Sequence, residues 1–265
     1  MIRPVILALA LASVAAPVAA QTLPAPQSSP QPESDGVEFL PRFDFHLGLE
    51  HLLSDERRFV WDAHFGGDLD LIAYRRTRLT FVADYQAVLG SQYQPFDPNQ
   101  GNYTIGGSFS RRLGAAEVAG VVHHVSRHLG DRPKRSPVDW NMLGGRVRGG
   151  MTRGRTDLQA RVDLRGVVQK TYVDYRWELD ADSRARVALA PRVAAVATGG
   201  VRVLGVDGSR GRGTQYGVRG EGGVRLDGRG AALELFVAVE RRVDPYQLEF
   251  STATWLTTGF RLVGR

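Results

Sequence analysis

Three of the chain's six histidines fall within Val121-Val122-His123-His124-Val125-Ser126-Arg127-His128-Leu129-Gly130-Asp131. His124 and Ser126 are two residues apart, so on a β-strand they share a face about 6.6 Å apart along the chain. That is near enough for an imidazole to lean onto a hydroxyl and act as its general base. Such a pair needs a third polar group to hold the imidazole tautomer. The next periodic segment supplies Asp139 and Asn141, and either would serve. Ser126 would then be the nucleophile, His124 the base, and Asp139 or Asn141 the orienting group. Metal binding suits these residues less well. His124 and His128 stand about 13 Å apart along a strand, too far for one ion with bonds of ~2 Å. His46, His51 and His64 show no ligand spacing within a single strand, so no metal and no cofactor is expected. The plainer alternative is that rim histidines and a serine simply sit where amphipathic side chains meet a head-group layer.

The elements that must position these residues are strands. In Thr156–Val168, Leu158, Ala160, Val162, Leu164 and Val168 share one face while Asp157, Gln159, Arg161, Asp163 and Arg165 share the other. The same period of two recurs along the chain. One example is Phe43, Phe45, Leu47 and Leu49 against Arg42, Asp44, His46 and Glu50. Another is Leu233, Leu235, Val237 and Val239 against Glu234, Glu240 and Arg242. A soluble barrel would hide the apolar face and show the charges. Charged faces this dense fit the reverse, with lipid outside and a polar lumen.

The N-terminus agrees. Arg3, an apolar run from Val5 to Ala16, and Val18-Ala19-Ala20 before Gln21 have the form of a secretory signal peptide over residues 1–20. Residues 21–36, with Pro24, Pro26, Pro30 and Pro32 and no periodicity, read as a disordered periplasmic tail. No later run is apolar for the ~20 residues a spanning helix needs, so only a closed barrel could satisfy its backbone in a membrane. The chain has no cysteine. A barrel has no free strand edge and needs no disulfide staples. The net charge of +6 resides almost wholly in arginine, and because arginines alternate with acids rather than forming a stripe, nucleic-acid binding is not expected.

The expected fold is therefore all-β: one transmembrane antiparallel barrel over residues 37–265, with about twelve strands. Short turns are expected at 74–76, 113–114, 153–154, 182–184 and 227–229, with longer loops between. Strand eight, 172–182, should turn Val173, Tyr175, Trp177 and Leu179 toward lipid. Phe59 and Phe250 belong with the lipid-facing sets of strands two and twelve. Pro191 should make a bulge inside strand nine, since proline cannot donate to a ladder. The expected home is the outer membrane of a Gram-negative bacterium, reached with the barrel assembly machinery, and the expected partners are outer-membrane lipid and lipopolysaccharide.

The apolar set Val118, Gly120 and Val122 continues into His124, Ser126 and His128, which assigns that face to lipid. Arg146 and Arg148 belong in the lumen, which turns Val147, Leu143, Asn141 and Asp139 outward. A His-x-Ser pair on the outer rim beside an acid or amide resembles outer-membrane phospholipase A and the lipid A deacylases with a Ser–His–Glu site. The fuller string His124-x-Ser126-x-His128-x-Gly130-Asp131 is similar to a signature of an uncharacterised family of outer-membrane barrels. The likeness spans about eight residues. Arg127 stands where the phospholipase family has Asn-Gly, which removes the basis for its calcium-assisted chemistry. The resemblance implies an outer-leaflet acyl-ester hydrolase in which Arg127, Arg132, Lys134 and Arg135 would hold lipid phosphates. Against it stand a non-catalytic envelope barrel with an ion-paired, largely plugged lumen, and a narrow solute channel.

Overall fold

The computed structural model describes residues 34–130, 133 and 136–264. The expected signal peptide, most of the expected tail, and Asp131, Arg132, Lys134 and Arg135 lie outside the described residues. Twelve strands follow one another: β1 (Ser34–Leu53), β2 (Trp61–Arg75), β3 (Thr77–Gly90), β4 (Asp97–Leu113), β5 (Ala116–Leu129), β6 (Val138–Arg153), β7 (Thr156–Thr171), β8 (Tyr175–Ala190), β9 (Val193–Val206), β10 (Gln215–Asp227), β11 (Ala231–Val243) and β12 (Thr252–Gly264). Each pairs antiparallel with its neighbour in sequence, and β1 closes on β12. The first strand begins at Ser34, so it takes up the end of the expected tail. Short turns gather at the end that holds both strand termini of the barrel. The longer loops gather at the other, which by the usual orientation of such barrels faces outward.

The alternation decides which side each residue faces. Leu164, Val168, Val237, Val239, Leu235 and Phe43 are exposed on the outside. The ionic positions between them are buried: Asp163 and Arg165 in β7, Glu234, Glu240 and Arg242 in β11, Glu50 in β1. A water-soluble protein could not present so continuous an apolar exterior, whereas a barrel bathed in hydrocarbon must.

Inside, nearly every guanidinium meets a carboxylate. Arg42 holds Asp70 at 2.9 Å, Arg146 holds Asp163 at 2.8 Å, and Arg202 holds Asp180 at 2.7 Å. Arg161 pairs with Asp182, and Arg184 with Glu234. Arg219 of β10 reaches past β11 and β12 to Glu50 of β1 at 2.9 Å while also binding Glu240 and Glu221. Its guanidinium and that of Arg261 both lie over the Phe236 ring. Contacts of this kind cross the interior.

Several expectations are corrected. The turn expected at 182–184 lies inside β8. Asp182 and Arg184 point inward to their partners and Ser183 between them points out, so the polar triplet is strand alternation, not a turn. The turn is at Pro191-Arg192, so Pro191 makes no bulge and needs no ladder donor. A register shift between Tyr175 and Trp177 turns Tyr175 into the barrel. Val173, in the loop before β8, is buried as well. Phe59 is buried in the β1–β2 loop, and Phe250 lies in the loop before β12. These residues cover the mouth rather than meet lipid.

Two substitutions test the inside-out arrangement. Val237→Arg on the lipid face should cost about 2–4 kcal/mol, and Arg219→Ala, which leaves buried Glu50 without a cation, about 3–5 kcal/mol. Both are read by urea titration of the barrel in lipid vesicles. If Val237→Arg is neutral while Arg219→Ala costs nothing, the arrangement is wrong.

Candidate functional site

At the outer end the lumen changes from ionic to apolar. Val138, Trp140 and Met142 of β6, Val173, Tyr175, Leu204 and Val243 form one buried cluster. Leu52, Phe59, Val88 and Trp255 form another. The β11–β12 loop, residues 244–251, joins the two: Tyr246 packs on the second and Leu248 on the first. Polar bonds fix the loop in place. Gln100 Nε2 donates to the Pro245 carbonyl at 2.9 Å and its Oε1 accepts from Gln247 N at 3.1 Å. Tyr175 donates to Asp244 at 2.6 Å, and Arg212 bridges Asp244 and Asp174. Arg58 holds Glu249 at 2.6 Å. Burial works to lower the Arg212 pKa, but the hydrogen bonds to Asp174 and Asp244 carry it above its ordinary value. The Glu249 hydrogen bond lifts Arg58 in the same sense, against a smaller effect of burial. Both cations stay charged, and the loop stays pinned.

The motif of β5 divides between the two sides of the wall. His124, Ser126 and His128 face outward with the exposed Val122, while Val121 and Arg127 are buried inside. Arg127 is only 5% exposed and donates to the Asp244 carbonyl at 2.9 Å. It braces the loop from below and cannot hold a lipid phosphate, because one step along a strand reverses the side. Gly130 packs where a Cβ would meet the Pro98 carbonyl oxygen at 2.6 Å, and its N–H donates to Asn99. That close approach of backbones explains the glycine.

On the outer side, β5 and β6 are in register with His124 opposite Asn141 and Ser126 opposite Asp139. His124 Nδ1 lies 2.8 Å from Asn141 Oδ1, and the Asn141 amide bonds to Gln169 of β7. Gln169 Nε2 donates on to Asp139 Oδ1 at 3.1 Å. The Ser126 hydroxyl does not pair with His124: Ser126 Oγ lies 2.8 Å from His128 Nε2. His124 is held by the amide opposite it, which leaves the i+2 imidazole to the serine. So the structure gathers all four candidates Ser126, His124, Asp139 and Asn141 on one outward patch, but in two separate hydrogen-bonded groups.

Two further residues complete the patch. His128 is the serine's partner, and Tyr103 of β4 packs edge-on to it with centroids 5.3 Å apart. Tyr103 closes a row of rings running Phe65, Tyr85, Tyr103 around the outside. Tyrosine rings are at home in a head-group layer, and the register sets Ser126 opposite Tyr103. The signal was present in Phe65, Tyr85 and Tyr103 as lipid-facing residues near strand ends, but their side-by-side packing depends on register.

No family model matches this chain, and no curated protein sequence matches it. Solved structures do. An outer-membrane channel from Pseudomonas putida F1 superposes with a TM-score of 0.51 at 11% identity, covering 84% of this chain and 94% of that one. LpxR from Salmonella typhimurium superposes with a TM-score of 0.50 at 8% identity, covering 83% and 99%. These likenesses establish the outer-membrane barrel fold.

The loop's anchoring can be checked by proteolysis. Asp244→Ala removes the acceptor of Tyr175 and Arg212 and should expose Tyr246 to chymotrypsin on intact outer membranes, whereas His124→Ala should leave the loop protected. Equal protection in both variants would show that these bonds do not hold the loop.

Proposed function

We propose that this protein is an outer-membrane barrel with a stoppered lumen, whose working surface is the lipid-facing rim of β4–β7, where it engages the head groups of outer-leaflet lipid. The observation that supports this most is the contrast between the two sides of one wall. The inner side is consumed by ion pairs and the pinned 244–251 loop. The outer side carries Ser126, His128, His124, Asn141, Gln169 and Asp139, polar groups turned toward a surface that is elsewhere aliphatic. Polar side chains facing lipid are costly at mid-membrane and gain partners only at head-group depth, where tyrosine rings such as Tyr103 are at home.

A second reading, acyl-ester hydrolysis, is favoured by the 2.8 Å contact of Ser126 Oγ with His128 Nε2. In it His128 takes the hydroxyl proton as Ser126 attacks the ester carbonyl. The imidazolium then returns that proton to the departing alcohol, and water releases the fatty acid from the acyl-serine by the same base. His124, held by Asn141, would be a positioning residue for the neighbouring strand.

Lipid mass spectrometry of outer membranes separates these readings. Hydrolysis requires that Ser126→Ala and His128→Ala each abolish a deacylated species present with wild type, and identical acyl profiles would end it. Head-group engagement requires that purified wild-type barrel retain outer-leaflet lipid in native mass spectra, and that a Ser126→Ala/His128→Ala/Asn141→Ala variant lose at least several-fold of it. Equal retention would overturn the rim assignment.

A further inference from the structure

Beneath the apolar cap, on the inward face of the β1–β2 ladder, Glu50 of β1 and Asp62 and His64 of β2 bring one donor atom each within 4.8 Å of one another. All three are buried: Glu50 and Asp62 fully, His64 to within 2%. Glu50 and Asp62 are cross-strand partners in the β1–β2 ladder, and Asp62 and His64 are two apart on the inward face. We propose that these three side chains form an internal site for a divalent transition-metal ion, Zn²⁺ or Mn²⁺, taken up as the barrel closes.

The geometry of His64 is the first argument. Its Nε2 lies 3.1 Å from Asp62 Oδ1, yet it has no hydrogen-bond partner although it is buried. At that separation a ring N–H aimed at the oxygen would make a strong charge-assisted bond, and it is not so aimed. Two donors bound to one ion at ~2.1 Å and roughly tetrahedral to octahedral angles stand ~3.0–3.4 Å apart with their lone pairs converging. The observed pair has that spacing. Opposed ligands of such an ion stand ~4.2 Å apart, so Glu50 joins with less than an ångström of carboxylate movement.

Charge is the second argument. Followed from Glu50, Asp62 and Asp84 through Arg261 to Glu234 and Asp227, the connected group holds seven carboxylates and six guanidiniums. Arg242 Nη1 lies 2.6 Å from Asp62 Oδ2, Gln86 donates to both Asp62 oxygens, and Thr257 donates to Glu50 at 2.8 Å. These partners hold the carboxylates in place and leave one negative charge over. A bound divalent cation offsets it. The alternative is one imidazolium ion, at His64 or at His46, the latter 2.8 Å from Asp84. A donor set of one imidazole and two carboxylates suits Zn²⁺ and Mn²⁺.

The alternatives are distinguished by metal analysis of barrel extracted from membranes without chelator, and of barrel refolded with Zn²⁺, with Mn²⁺ or with EDTA. About one equivalent of bound metal is expected, with a melting temperature several degrees higher than in EDTA. His64→Gln should lose the metal, and the rim variant His124→Ala should keep it. X-ray absorption of the wild-type metal should show a light-atom shell with a single imidazole, a readout that stands even where His64→Gln does not fold. Wild-type barrel that holds no stoichiometric metal in any of these states, with the same melting temperature in EDTA, would overturn the site.

Discussion

The pairing of arginine with carboxylate inside a wall that has lipid on its other side governs this molecule. A charge buried alone is costly by several kcal/mol, and a pair is tolerable only where geometry is good and remaining donors are satisfied. Guanidinium meets that demand better than ammonium because its planar fork serves two or three acceptors at once. Arg219 with Glu50, Glu240 and Glu221, and Arg212 with Asp174 and Asp244, show the pattern. Arg219 ties β10 to β1, which are not neighbours in the sheet, and Arg212 ties the loop before β8 to the loop after β11.

From that constraint the division of labour follows. With the inner face given over to ion pairs, and its outer end to two apolar clusters and a bound loop, the polar side chains that can reach the membrane lie on the outside. There β5 offers His124, Ser126 and His128 in succession. The same strand, one residue out of phase, uses Arg127 to secure the loop that closes the lumen. One short motif therefore serves both sides of the wall.

Much of this was legible in the sequence. Period-two patterning fixed the face of most strand residues, including the outward set of the motif, and the alternation of arginine with acids foretold the ion pairs inside. The misreadings share a physical cause. Near the outer strand ends an apolar residue has two apolar destinations, lipid or plug, and alternation does not distinguish them; Phe59, Val173 and Tyr175 went to the plug. In the middle of β8, Asp182-Ser183-Arg184 has the composition of a turn, yet Asp182 pairs with Arg161 on the neighbouring strand and Arg184 reaches Glu234 of β11. Contacts between strands depend on register, which no single segment encodes. Periodicity offers Ser126 two equivalent imidazoles, at i−2 and i+2, and the amide opposite His124 decides between them. His64 and Glu50 meet for the same reason, through a ladder rather than a spacing.

The central claim is that the ionic face fills the barrel rather than lining a water path. Single-channel recording of the purified protein in planar bilayers tests it most directly. The account predicts a silent membrane across the voltage range in which general porins conduct. Stable ohmic steps from the wild-type protein would mean that water and ions cross the lumen, and would contradict it.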